Sequence, residues 1–106
     1  MANAAAAVMA YAVSECEWQD QVLDLARLLG WFPYHTFDSR HSQPGFPDLV
    51  LVRERVVFAE LKRQRERLTP AQVAWQGLLR AADAEVYVWR PADFDQVRAI
   101  LGRRGR

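Results

Sequence analysis

The sequence is poor in several things. Cysteine occurs once, at Cys16, among 106 residues. A single thiol can neither close an internal disulfide nor supply a cysteine-rich zinc site. A half-buried structural thiol in a reducing cytoplasm is expected instead. No apolar run approaches the roughly 20 residues of a membrane span. The opening "MANAAAAVMAYAV" is apolar, but no Lys or Arg precedes it, which argues against a secretory signal. A mobile or helical N-terminal arm over residues 1–13 is expected. There is no internal repeat, and no low-complexity stretch beyond the alanine run. Net charge is also scant, at +1. Its distribution is uneven, however. Residues 1–60 hold four Arg against eight acids, a balance of −4, and residues 61–106 hold ten Lys or Arg against five acids, a balance of +5. Such asymmetry suits a basic face for a polyanion beside an acidic pocket.

What is present fits one globular domain, 51% apolar and 25% charged. The first strong helix is predicted over 14–29. Ser14 is its N-cap, Glu17 completes a capping box, and Gly30 ends it. Trp18, Val22, Leu25 and Leu29 form its apolar stripe. "WFPYHTF" reads as a short strand that Pro33 assigns to an edge or a bulge. Residues 38–46 form a polar loop with a Pro-Gly turn. Two Val- and Leu-rich strands follow, 48–53 and 56–62, joined by a turn at Arg53, Glu54 and Arg55 that is short enough only for a hairpin. Thr69-Pro70 starts a helix over 70–82, expected to bury Trp75, Leu78, Leu79 and Ala82. "EVYVW" is a strand over 85–89, and Pro91 opens a last helix with Phe94, Val97 and Leu101 inward. The tail "GRRGR" is expected to be mobile. The order α-β-β-β-α-β-α predicts an α/β sandwich, a mixed sheet flanked by helices, with an antiparallel hairpin at its heart.

That hairpin, "GFPDLVLVRERVVFAELK", carries three charges where a buried strand should be apolar. Strand periodicity puts Glu60 and Lys62 on one face. With the turn centred at Glu54, Asp48 lies opposite Glu60, their Cβ atoms roughly 5 Å apart. Two carboxylates held side by side repel unless a cation bridges them or a proton is shared. A hard divalent cation, magnesium (Mg2+) or manganese, suits this oxygen set, with the backbone carbonyl of Leu61 as a further ligand. Lys62 would then orient or deprotonate an attacking water, or stabilise charge developing on phosphorus. Helical phase places Glu15 at the edge of the buried stripe and Gln19 just beyond it, while Glu17 faces away. Glu15 is therefore the fourth candidate ligand. Gln72 has two readings, a capping box with Thr69 or a phosphate contact. Arg63, Arg65 and Arg67 read either as contacts to a nucleic-acid backbone or as a solvated charge run. His35 and His41 read as general bases or, since neither has an obvious partner in sequence, as loop histidines facing phosphate or solvent.

"GFPDLVLV" followed by "FAELK" resembles the PD-(D/E)xK nuclease superfamily. With "SECEWQ", "LARLLGW", "YHTFDSR", "LTPAQVAW" and "EVYVWRP" in order, the chain more narrowly resembles the VRR-NUC domain, the virus-type replication and repair nuclease module. The resemblance implies a restriction-endonuclease-like core over 14–102, followed by a basic tail over 103–106. It implies a magnesium- or manganese-dependent phosphodiesterase acting on DNA. Asp48, Glu60, Lys62 and Glu15 would be catalytic. Asp48, Glu60, Glu15 and the Leu61 carbonyl would hold the metal. Gln19, Gln72, Arg40, His41, Arg63, Arg65 and Arg67 would contact DNA or assist. Stand-alone members resemble junction resolvases and tend to dimerise, so a homodimer acting on four-way junctions or flaps is expected. The alternative is a non-catalytic DNA-binding or scaffold domain that keeps the fold. Family hairpins often turn through Gly, whereas this one turns through "RER".

Overall fold

In a computed structural model, residues 4–36 and 41–105 are described, with backbone alone for 4–7. The chain begins with α1 (Ala4–Ala12), so the arm takes the helical form of the two expected, and its Ala10 is buried. Then come α2 (Glu15–Leu28), β1 (Phe32–His35), β2 (Leu49–Val52), β3 (Val56–Leu61), α3 (Pro70–Ala81), β4 (Glu85–Trp89), a 3-10 turn over Pro91–Asp93 and α4 (Phe94–Gly102). Ser14 and Glu17 form the expected reciprocal cap on α2, and Thr69 and Gln72 form another on α3. Among the described residues, no helix is long and apolar enough to cross a membrane. Cys16, expected half-buried, is exposed on α2.

The sheet order is β1-β2-β3-β4, antiparallel for the first two pairs and parallel between β3 and β4. Parallel pairing of β3 with β4 follows from the crossover through α3, since a two-residue turn cannot join parallel neighbours. One face of the sheet presents Leu49, Leu51, Val57, Ala59 and Leu61 to Trp18, Val22, Ala26, Val97 and Leu101. This is the core, closed by α2 and α4. The other face carries the alternate residues and is only partly covered. There α3 packs on β4, and Val86 is buried beneath it. Toward β1 and β2 no described element covers this second face, and Phe32, Tyr34 and Val52 are exposed.

Pro33 sits in edge strand β1, as expected. Thr36 donates its N–H to the Asp48 carbonyl at 3.4 Å. Alternation therefore turns the even-numbered amides of β1 toward β2, and Pro33 faces outward, where its missing donor breaks no ladder bond.

The hairpin turn shows why "RER" can replace Gly. Helix C-termini leave carbonyls unpaired. Arg53 donates to Leu29 O, just past α2, and to Leu101 O in α4, both at 3.0 Å. Arg55 donates to Ile100 O at 2.8 Å, and both guanidinium groups reach Arg103 O. They also lie over the Trp31 ring, 4.4 and 5.0 Å from its centroid. Residues 103–105 are thus pinned to the turn, contrary to the mobile tail that was expected.

The phase of α3 also differs from expectation. Leu78 is 64% exposed and Ala82 is exposed, while Gln76 is buried. The helix turns Gln72 toward the sheet, where its amide meets the Glu60 carboxylate.

Candidate active site

The site forms where β2 begins and β3 ends. Gly45 has φ +91°, and a Cβ there would meet the Ala71 backbone carbon at 2.4 Å. Only glycine allows the loop to approach α3 this closely. Phe46 then wedges edge-on between Trp75 and Phe58, with centroids at 5.1 and 5.9 Å. The Trp75 indole donates to Pro44 O at 3.1 Å. These contacts deliver Pro47 and Asp48 to the sheet in a fixed orientation.

The β2–β3 register pairs Leu49 with Ala59 and Val50 with Phe58. One step further, Asp48 lies opposite Glu60, as strand alternation predicts. Asp48 Oδ2 accepts the Leu61 N–H at 2.9 Å. Glu60 is 2% exposed and Lys62 4%. Glu60 Oε2 accepts from the Gln72 amide nitrogen at 3.1 Å and lies 4.0 Å from Lys62 Nζ. Glu60 Oε1 is buried and has no hydrogen-bond partner among the described residues. Burial first, and then the neighbouring Asp48 carboxylate, push the Glu60 carboxyl up to about 8, with Lys62 partly offsetting them. The Lys62 ammonium also lies 3.7 Å from Glu66 Oε2.

Gln72 makes the expected capping box with Thr69, and the same side chain also reaches Glu60. Its amide oxygen accepts the Thr69 N–H at 2.9 Å, and its amide nitrogen donates to Glu60. Glu15 is exposed in the first turn of α2. The Trp18 indole and the Lys62 N–H both donate to Trp89 O at 3.0 Å, so α2 starts at the same end of the sheet as the site. The structure does not bring Glu15 into the Asp48–Glu60 pair. Among the described residues, no three His, Cys, Asp or Glu side chains gather as a metal cluster. Glu17 is committed to its cap, and Gln19 is half-buried.

Arg63, Arg65 and Arg67 are exposed on the segment after Lys62, and Arg65 lies over the Tyr11 ring. His41 is exposed, and Arg40 lies outside the described residues. Two site neighbours had escaped the sequence reading. Gln76 has both amide atoms buried without partners among the described residues, one helical turn beyond Gln72. Glu66 was seen only as part of a charge run, although its i+4 spacing from Lys62 was visible.

The residues present fit a hard divalent cation. The donors are all oxygens, two of them from carboxylates that destabilise one another, and one buried carboxylate oxygen lacks any donor. Asp48, Glu60 and the Leu61 carbonyl would hold it.

A mixed sheet between helices, with Asp and Glu-x-Lys facing each other across its hairpin, is the PD-(D/E)xK nuclease core. The sequence matches the VRR-NUC domain model over residues 5–93, and the chain belongs to that family. It is therefore a nuclease-type DNA-processing domain. A solved structure described as a VRR_NUC domain shares the fold, with a TM-score of 0.69 over 86% of this chain and 97% of that one, at 22% identity. No curated protein matches the chain.

Proposed function

We propose that this chain is a magnesium- or manganese-dependent DNA endonuclease, selective for branched structures such as four-way junctions or flaps. It acts as a homodimer, and its lone thiol suits the cytoplasm. The observation that carries the reading is the buried, unpartnered Glu60 Oε1 beside Asp48. A folded chain that holds two carboxylates this close, and leaves one oxygen unused, is built to receive a cation there.

A bound divalent cation supplies Lewis acidity and positive charge at the scissile phosphate. The protein's own groups do the rest. Asp48 is oriented by the Leu61 N–H and Glu60 by the Gln72 amide, so neither carboxylate must reorganise on binding. Glu15 completes the ligand set by reaching from the adjacent start of α2. Lys62, nearly buried and held loosely between Glu60 and Glu66, is free to turn its ammonium toward the phosphate or toward an attacking water. Gln19, His41, Arg40, Arg63, Arg65 and Arg67 contact the DNA backbone.

The test is cleavage of labelled duplex, flap and four-way-junction DNA in magnesium, manganese or EDTA. Cutting is expected with either metal and none with EDTA. Parent-like cutting by both Lys62→Ala and Asp48→Ala would refute the assigned site. DNA binding with no cutting in either metal would favour the scaffold alternative. A solution mass equal to one chain would remove the basis for paired cuts.

A further inference from the structure

We infer that Phe32 and Tyr34 form a stacking platform for unpaired bases of the substrate strand, beside the bond that is cut. The inference rests on the nuclease reading and narrows it, because the substrate must then carry unpaired nucleotides near the scissile phosphate.

In the β1–β2 register, Phe32 lies opposite Val52 and Tyr34 opposite Val50, and the Thr36 N–H reaches the Asp48 carbonyl. Directly paired residues share a face, so Phe32 and Tyr34 stand on the same sheet face as Asp48 and Glu60. They form a row that starts beside Asp48 and runs away from it along β1. Phe32 is 81% exposed and Tyr34 62%. Exposing two neighbouring aromatic rings is costly unless they have a partner.

Three observations choose nucleobases as that partner. First, the row is continuous with the candidate site of a DNA-processing domain, with no element between them among the described residues. Second, alternate residues of a strand stand about 6.7 Å apart, a step that an extended single strand can match with successive bases on an aromatic row. Third, the exposed Arg63, Arg65 and Arg67 follow Lys62 at the end of β3, at the same end of the sheet as Asp48. The site therefore lies between a basic segment suited to the phosphates of a duplex and an aromatic row suited to bases that have left one. A second copy of the chain is the competing partner. Pro33 disfavours one such contact, strand addition at the β1 edge, where a proline cannot donate, and the test below separates a copy packed on the face.

The test is fluorescence anisotropy in EDTA, where no cutting is expected, using single-stranded, splayed-arm and blunt duplex DNA. The double substitution Phe32→Ala, Tyr34→Ala should weaken binding of the first two by at least about tenfold and leave blunt duplex within about twofold. Phe32→Trp with Tyr34→Phe should bind like the parent. A 2-aminopurine in the unpaired arm should be quenched by the parent and not by the alanine variant. Equal losses on all three DNAs, or no loss on any, would overturn the inference. So would a parent dimer that the alanine variant converts to monomer, since the face would then be an interface between copies. Cleavage with metal separates the two readings. If the parent cuts nothing but the binding difference holds, only the nuclease reading fails. If the parent cuts and the alanine variant cuts splayed arms equally fast at limiting DNA, only the platform fails.

Discussion

The two ends of the β2–β3 hairpin each carry three charged residues and treat them in opposite ways. At the turn, Arg53, Glu54 and Arg55 are paired with one another, with Glu85 and with the carbonyls that end α2 and α4. There the Arg53 guanidinium holds the Glu54 carboxyl below the usual carboxylate range. At the open end, Asp48 and Glu60 face each other, Lys62 sits at the margin of ion-pair distance, and a buried oxygen has no partner. The Glu60 carboxyl moves the other way, to about 8. Satisfied charge at the turn serves stability. Unsatisfied charge at the open end is retained at a cost to the isolated fold, which is where chemistry is expected.

Exchanging those roles should fail in graded ways. The largest effect is expected from Asp48→Asn. It should lower metal-dependent cleavage by about a hundredfold to a thousandfold, the scale of losing one preorganised electrostatic group. The same change should raise the metal-free melting temperature, because it relieves Glu60 of its like-charged neighbour. A melting temperature that falls would show the pair to be structural after all.

At the other end, Arg55→Ala should cost about 3 kcal/mol in urea unfolding, since it strips a nearly buried guanidinium from Glu85 and leaves the Ile100 carbonyl without its donor. The variant that remains folded should keep its catalytic rate. A lost rate with unchanged stability would contradict the division between the ends.

The pH dependence of the metal-free protein reads the open end alone. Glu60 has a folded pKa of about 8 against an ordinary 4.5. Between those values the folded state binds the extra proton, so stability is greatest below pH 4.5 as far as this group is concerned and is lost as pH rises through 8. Melting curves across that range should show the decline. Glu60→Gln, or saturating magnesium, should flatten it.

The hairpin register was legible because it depends on two local facts, a short turn and an alternation of side chains. Both survive into the fold, so Asp48 faces Glu60 as expected. Helix starts at Ser14 and Thr69 were legible for the same reason, because a cap is made within four residues. The roles of Arg53 and Arg55 were not. Nothing near them in sequence says that two helix ends converge on the turn, 24 to 50 residues away along the chain. Gln76 was missed because an inward-facing helix position was read as apolar. That rule holds over an apolar sheet, and α3 lies over a sheet surface that contains Glu60. Glu15 remains an assignment from helical phase, since phase fixes direction around α2 but not the reach across to Asp48.

Gln72 gives the site a handedness that its neighbours do not. An isolated glutamine amide can turn over and offer either its oxygen or its nitrogen. Here the oxygen is committed to the Thr69 N–H, so only the nitrogen can face Glu60. Helix α3 cannot begin without aiming a donor at the carboxylate. The first turn of α3 and the donor that Glu60 receives are thus fixed together by one planar group. A glutamate at this position could still cap the helix, but it would present the candidate site with a third carboxylate in place of its donor.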